Sequence, residues 1–469
     1  MKPSMSKVLA MLFAVLVALG GGSARAATAR QIPAGETGAD LPNIVLILSD
    51  DHRWDDYGFM GNPILETPHL DALAAQSMVY TRAYNTASVC RPSIVSMVTG
   101  LYPREHLIVG NDPPGGRQTQ RDPAARAAMV EVFSRSANFI EMLQEHGYLT
   151  FQTGKWWEGV PTDHGFTAGM THGDPTNGGR HGDVGLTIGR EGIQQVRDYI
   201  DSAGDRPFVL WYAPEMPHQP HNPPERLLSK YQAAIGNPEE GEFFAADQAR
   251  YYAMIEWFDE TVGEVLDFLD ERGLSENTIV IYLADNGWAP RIVQGQAETD
   301  TRAKLSYFDA GYRTPFMIRW PGRVSPGTDT TSLVSTIDLA PTILRAAGID
   351  PAPAMHGFDV LNEADRVAGR QHVFMELNAH TPVDLENPVA NLISRAVLRK
   401  DGWRLIVPYA PNDQVPLTGG GTRPDWLDMA VQLYNVIEDP FETRNLAAER
   451  PDLVRELQAE LDRWYPVPE

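Results

Sequence analysis

Two short apolar runs, Asn43–Ser49 and Thr278–Ala284, each lead straight into acidic residues: Asp50-Asp51 after the first, Asp285-Asn286-Gly287 after the second. Runs of this length with almost no polar alternation suit strands buried on both faces. Such strands belong to parallel sheets covered by helices on either side. The intervening sequence agrees. Thr67-Pro68 opens a helical pattern through Leu70, Leu73 and Ala74, with proline in the first turn, where a missing N–H is harmless. Helices are predicted over 95–98 up to Gly100, over 139–146 with Gly147 as the stop, over 251–272 closed by Gly273, and over 337–347. Further strands are predicted over 148–153, 208–213 and 316–320. Strand and helix alternate, which predicts an α/β fold with a large, mostly parallel sheet sandwiched by helices.

Beyond about residue 365 the pattern changes. Short strand-like runs at 373–377, 395–399, 403–408 and 433–436 follow one another, and a last helix is expected over 453–464. They predict a smaller C-terminal antiparallel sheet with a terminal helix. The chain then divides into a main domain over 27–365 and an α+β subdomain over 366–469. The Gly/Pro-rich stretches 110–123 and 161–185 lack apolar periodicity and are expected as surface loops near a pocket.

Residues 1–26 read as a secretory signal peptide. Lys2 and Lys7 give a positive start, Val8 to Leu19 an apolar segment, and Ala24-Arg25-Ala26 a small-residue cleavage site. The mature chain is expected to be periplasmic or secreted, with no membrane association after cleavage. Lys and Arg number 39 against 62 Asp and Glu, a net charge of −23. That balance argues against a nucleic-acid partner, which needs a basic footprint. Cys90 is the only cysteine, so an exported chain with access to oxidising chemistry forms no internal disulfide. A lone cysteine by itself reads as a small buried hydrophobe; the neighbours of Cys90 change that reading.

Ligands of open α/β sheets gather at the carboxyl ends of the strands. Asp50, Asp51 and Asp285, with the amide oxygen of Asn286, make a hard-oxygen set at that edge, suited to Ca²⁺, with Mg²⁺ as the alternative. One such pair alone reads as a helix cap or turn; two pairs with the same placement favour a metal. Other segments carry Ser88-Val-Cys90-Arg-Pro-Ser93-Ile94, Gly154-Lys155-Trp156-Trp157, Pro217-His218-Gln-Pro-His221 and Lys304. Lysine and histidine around a hard metal suit an anionic ester. The cations neutralise its oxygens, and a histidine protonates the leaving oxygen.

Taken in order, these motifs resemble the type I sulfatases of the alkaline-phosphatase-like superfamily. Pro42-Asn43-Ile44-Val45 leading to Asp50-Asp51 is similar to that family's first metal strand, and Thr67 to Ala74 to its next helix. Cys90 to Gly100 resembles the signature in which cysteine is oxidised to formylglycine. Gly154-Lys155-Trp156 resembles the substrate-lysine motif, and Ala284-Asp285-Asn286-Gly287 the second metal strand. Lys304, with Gly311 to Pro315 and Arg319 to Gly322, resembles the second lysine block. Leu433-Tyr434-Asn435, Asp439-Pro440 and Glu442 to Leu446 resemble the C-terminal signature. The resemblance spans roughly residues 42–465.

It implies roles for these residues. Asp50, Asp51, Asp285 and Asn286 would ligate Ca²⁺, with the modified Cys90 as nucleophile and further ligand. Lys155 and Lys304 would hold the sulfate oxygens. His218, His221 and His181 would bind substrate, with His218 as the acid for the leaving alcohol. The implied reaction is attack on sulfur by the hydrated aldehyde of formylglycine. The implied partners are a sulfated sugar or polysaccharide fragment and the formylglycine-generating machinery.

Two positions depart from the family pattern. The family places an arginine four residues after the cysteine, where it orients the nucleophile and is read by the modifying machinery. Here that position is Ile94, and Arg91 stands directly after the cysteine. Arg91, counted among the catalytic candidates, or Arg53 would take over the orienting role, or that role is lost. Trp157 stands where a histidine commonly follows Lys-Trp, so His164, His172 or His181 would compensate from the following loop. Beside a secreted sulfatase, two readings stay open. One is a phosphate or phosphonate ester hydrolase on the same scaffold. The other is a degenerate member that binds sulfated glycans without turnover.

Overall fold

The computed structural model describes residues 41–174, 180–235, 244–289, 292–293, 296–297, 302–412, 415 and 428–468. The expected signal peptide over 1–26 lies outside them. Asn43–Ser49 runs through the middle of a nine-stranded sheet and is buried along its whole length. Strand side chains alternate between faces, and here each face meets an apolar layer. Ile44, Leu46 and Leu48 enter one layer, Val45 and Ile47 the other. Thr278–Ala284 lies parallel beside it, in register from Asn43↔Thr278 to Ser49↔Ala284, and divides its side chains the same way.

The strand order across the sheet is Gly327–Asp329, Met78–Tyr84, Arg313–Arg319, Thr278–Ala284, Asn43–Ser49, Phe208–Ala213, Leu149–Gly154 and Ala168–Gly169, with Val334–Ser335 also on Met78–Tyr84. Arg313–Arg319 runs antiparallel to both neighbours, and the other pairings of this sheet are parallel. The expected large, mostly parallel sheet is therefore present. Helices Cys90–Thr99, Phe139–Glu145 and Leu339–Ala346 build the first layer; Pro68–Ala75, Gln194–Ala203 and Phe244–Glu271 build the second. All ten residues of Cys90–Thr99 are buried, so this helix has no solvent face to show in its sequence pattern. Among the described residues, no helix is long and apolar enough to cross a membrane.

The smaller sheet is antiparallel, in the order His372–Asn378, Leu392–Arg399, Trp403–Pro408, Gln432–Asn435. One face, with Met375, Ile393 and Ile406, packs on Tyr307, Phe308 and Tyr312 of the main domain. The other face, with Val397, Leu405 and Leu433, packs on Leu453, Leu457 and Leu461 of the terminal helix Pro451–Trp464. A bulge at Leu377/Asn378 ends the first strand and turns the chain towards His380.

Two buried ion pairs fix the loops above the sheet edge. Arg91 Nε lies 2.7 Å from Glu158 Oε1 and Nη2 2.5 Å from Oε2, with both side chains almost wholly buried. This pair ties the start of helix Cys90–Thr99 to the loop after Gly154. Arg404 Nη1 donates to Glu442 Oε1 (2.6 Å), and the other oxygen accepts the Asp309 amide (2.6 Å). That pair ties the smaller sheet to the loop after Lys304. Removing one partner of a buried pair strands a charge, at about 3–5 kcal/mol, whereas apolar replacement of both is close to neutral. Glu158→Ala is therefore expected to lower unfolding stability by about 3–5 kcal/mol in urea denaturation. The double variant Arg91→Met with Glu158→Leu is expected to recover most of that loss.

Candidate active site

Each strand delivers a functional residue just past its last ladder bond. The Asp50 amide donates to Met216 O (3.0 Å), and the Asp285 amide to Ser49 O (3.0 Å). Successive residues of a strand would point their carboxylates to opposite faces. Asp51 instead takes a left-handed backbone, φ 58, a conformation that costs a non-glycine residue on the order of 1 kcal/mol. That turn lets Asp50 and Asp51 share one cluster. Gly154 closes the strand Leu149–Gly154, which lies beyond Phe208–Ala213 in the sheet, at φ +70, where a Cβ would meet Ala213 O at 1.8 Å, so no larger residue fits. The next amide, Lys155 N, donates to that same oxygen (2.7 Å).

Carboxylate oxygens of Asp50, Asp51 and Asp285 and Sγ of Cys90 lie within 4.8 Å of one another, all buried. Lys155 Nζ bonds Asp50 Oδ2 and lies 3.1 Å from Asp285 Oδ2. Lys304 Nζ lies 2.5 Å from Asp51 Oδ1 and 2.9 Å from Cys90 Sγ. Asn286 Nδ2 donates to Asp51 Oδ1 (2.7 Å) and Gly287 O (2.8 Å), while its Oδ1 is buried with no hydrogen-bond partner. A buried amide oxygen without a donor is unfavourable, and a cation held by these oxygens would satisfy it. Three carboxylates and an amide oxygen are the hard donors that Ca²⁺ and Mg²⁺ take. With all three carboxylates ionised, three negative groups against two ammonium groups leave the cluster formally at −1. A divalent ion turns that to +1, the sign that attracts a sulfate monoester.

The electrostatics follow from burial and these partners. Burial pushes the Asp285 carboxyl up to about 7, helped by Asp50 and opposed by Lys155. At Asp51 burial also acts upward, but Lys304, His218 and Lys155 outweigh it and hold that carboxyl below the ordinary range. Burial acts downward on Lys155, yet Asp285 and Asp50 keep its ammonium well above the usual value. Burial drives the Cys90 thiol up to about 12, against the pull of Lys155 and Lys304.

His218 sits at the mouth. Its Nε2 is 3.5 Å from Asp51 Oδ2, and its Nδ1 is 2.6 Å from Gln219 O. That carbonyl can only accept, so Nδ1 carries a proton and Nε2 is the ring atom facing the cluster. His181 Nε2 lies 3.1 Å from Glu215 Oε1, and its ring stands edge-on to Trp157 at 5.1 Å. Of the three histidines expected to compensate for Trp157, His181 alone is placed here. His164 packs on Phe133, and His172 pairs with Asp183.

The structure does not bring every candidate together. Arg91 turns away from the cluster to Glu158, and Ile94 is buried in the core. Arg53 pairs with Asp55 at 2.6 Å. Among the described residues, the hydrogen-bond and ion-pair partners of these two arginines do not include Cys90. His221 lines a cleft beside the cluster rather than the cluster itself. Other residues at the site escaped the sequence reading. Glu215 follows the strand Phe208–Ala213 and could have been found by the same strand-end rule. Tyr251 Oη donates to Asp51 O (3.1 Å) and accepts from Arg53 N (3.0 Å). Arg180 forks onto Asp112 with two contacts of 2.8 Å and stacks on Trp157. His380 reaches the site from the smaller sheet; burial pushes it down to about 4, with Asp112, Lys304 and Arg180 as its charged neighbours. No local pattern marks those three.

Residues 42–349 match the family model described as Sulfatase, and residues 300–413 match N-sulphoglucosamine sulphohydrolase, C-terminal. An N-acetylgalactosamine-6-sulfatase of Canis lupus familiaris is 28% identical over 368 residues, covering 70% of this chain and 67% of its own. An N-acetylgalactosamine-6-O-sulfatase of Bacteroides thetaiotaomicron is 25% identical over 516 residues, covering 90% and 92%. The crystal structure of a sulfatase from Pseudoalteromonas sp. shares the fold at a TM-score of 0.63 and 20% identity, covering 92% of each chain. With the Sulfatase match extending over well more than half of its length, the chain belongs to the sulfatase family of the alkaline-phosphatase-like superfamily and is a sulfuric ester hydrolase.

Proposed function

We propose that this protein is an exported sulfatase that removes sulfate from a sulfated sugar or polysaccharide fragment, using Ca²⁺ and a formylglycine made from Cys90. One observation carries the reading: three buried carboxylates and two lysine ammonium groups interleave around Cys90, with Asn286 Oδ1 left unsatisfied among them. The sugar class is supported by the names of the two N-acetylgalactosamine sulfatases. Export is supported by the apolar segment between Lys7 and Ala24-Arg25-Ala26.

Asp50, Asp51, Asp285 and Asn286 would hold the metal, which supplies Lewis-acid polarisation of sulfate oxygens. Formylglycine at position 90 would supply the hydrated-aldehyde oxygen as nucleophile. Lys304 touches both Sγ of Cys90 and Asp51, so its ammonium can orient that oxygen and neutralise charge on the sulfate. Lys155 bridges Asp50 and Asp285 and neutralises the opposite side. His218 gives its Nε2 proton to the leaving sugar oxygen, while Nδ1 stays on the Gln219 carbonyl. Burial of the cluster excludes water from the reacting atoms.

The placement of Arg91 and Ile94 favours one second reading, a binder of sulfated glycans without turnover. Mass spectrometry separates the two. In protein from a host that makes formylglycine, the peptide spanning 83–104 is expected to show the mass of an aldehyde or its hydrate at position 90. Unmodified cysteine throughout would overturn the formylglycine mechanism. Saturating Ca²⁺ at 100 times its Kd is expected to add about 2.7 kcal/mol of stability, seen as a Tm rise that EDTA reverses and Asp285→Asn abolishes. Lys304→Ala is expected to lower kcat/KM for a sulfated sugar by about 10²- to 10³-fold, the usual cost of removing one charge-stabilising donor.

A further inference from the structure

Next to the metal cluster, Gln219, Pro220, His221 and Arg250 line an open cleft of about 290 Å³. Two elements build it. The segment that carries His218 continues through Gln219 and Pro220 to His221, and Arg250 stands on helix Phe244–Glu271. Both elements touch the cluster. His218 Nε2 lies 3.5 Å from Asp51 Oδ2. Tyr251, the residue after Arg250, bonds the Asp51 carbonyl at 3.1 Å, and the His221 ring lies 5.9 Å from its ring. The cleft is therefore joined through His218 and Tyr251 to the residues that would hold the scissile sulfate.

Among the described residues, the lining carries an amide, an imidazole and a guanidinium. Several arginines of the chain are matched to carboxylates, among them Arg53 to Asp55, Arg180 to Asp112 and Arg226 to Glu260. Arg250 is half-buried and has no hydrogen-bond or ion-pair partner among the described residues. A guanidinium presents a planar fork of donors that matches a carboxylate or a sulfate with two parallel hydrogen bonds. The volume is near the lower end for ligand pockets, the scale of one sugar unit rather than a long chain.

We propose that the Gln219–Pro220–His221–Arg250 cleft is a second anion subsite, which takes the carboxylate or sulfate of the sugar unit adjoining the one whose sulfate is removed. The inference rests on the sulfatase reading and narrows it: the substrate class is an oligosaccharide with anionic groups on neighbouring units. Arg250 is the specificity-determining residue. Gln219 supplies a further donor, and His221 stands on the same wall.

Calorimetry on the full chain loaded with Ca²⁺ tests this without requiring turnover. Three disaccharides share one sulfated unit and differ in its neighbour, which is a hexuronate, a sulfated hexose or a neutral hexose. Arg250→Ala is expected to weaken binding of at least one anionic disaccharide by about 10- to 100-fold, the effect of losing a charged hydrogen bond. The neutral disaccharide is expected to change less than about twofold, and Arg250→Lys to restore part of the loss. The ligand that loses affinity identifies the anion as carboxylate or sulfate. An equal loss for all three, or no loss for any, overturns the subsite. Kinetics on the same set separates the two levels of the proposal. A rise in KM at constant kcat for the anionic substrate supports the subsite. Absence of all turnover with the binding difference intact overturns the sulfatase reading while leaving the anion site in place.

Discussion

Asp50, Asp51 and Asp285 are each at most 3% exposed, and their oxygens lie within 4.8 Å of one another. In a medium of low dielectric, like charges at that distance repel strongly, so what surrounds them is largely determined by the need for compensation. Lys155 and Lys304 reach in from opposite sides, and the Asn286 amide donates to Asp51. Local backbone choices serve the same end. The left-handed turn at Asp51 brings two successive carboxylates together, and the glycine at 154 lets the chain pass so close to Ala213 that Lys155 starts at the sheet edge. The remaining deficit of one positive charge, with an unsatisfied amide oxygen, is what a divalent ion supplies.

Lysines on loops would place those charges loosely, and the two buried ion pairs answer that. Arg91–Glu158 joins the helix that begins with Cys90 to the loop that carries Lys155, so the positions of Cys90 and of the lysine are tied together. Arg404–Glu442, through the Asp309 amide, joins the smaller sheet to the loop that carries Lys304. The C-terminal sheet is thus part of the active-site support. It also sends His380 towards Lys304 after the bulge at Asn378. Buried pairs add little net stability; here they hold register between elements that packing alone would leave free to slide.

The central strands were legible because each is buried on both faces and ends in its functional residue. Asn43–Ser49, Phe208–Ala213 and Thr278–Ala284 emerge with the expected bounds. Met78–Tyr84 was not legible, since Thr81 and Arg82 interrupt its apolar character where the register shifts against Arg313–Arg319. Helix Pro123–Phe133 carries a legible start, Asp122 capping the Ala125 amide before Pro123. It was hidden by the Gly/Pro-rich stretch that leads into it. The clustered carboxylates Asp50, Asp51 and Asp285 could be found from strand ends, and Glu215 by the same rule. His380 and Arg180 could not, because loops carry no periodicity to say where a side chain arrives.

Arg91 shows how a residue close in sequence can be wrong in direction. A helix turns about 100° per residue, so residue i+1 faces away from residue i, and i+4 shares its face. Cys90 and Arg91 begin the same helix, which directs Arg91 to Glu158 and leaves Ile94 on the Cys90 side. An arginine at that position would have brought the cluster from −1 to neutral before any metal. With isoleucine there, a divalent ion brings it only to +1, so the pocket offers a sulfate one positive charge fewer than the family pattern does. Affinity for an anionic substrate must then come in larger part from cations outside the cluster. Arg250, without a hydrogen-bond or ion-pair partner among the described residues, stands in the adjoining cleft where that compensation would act, and it would act only on substrates with a second charge to offer.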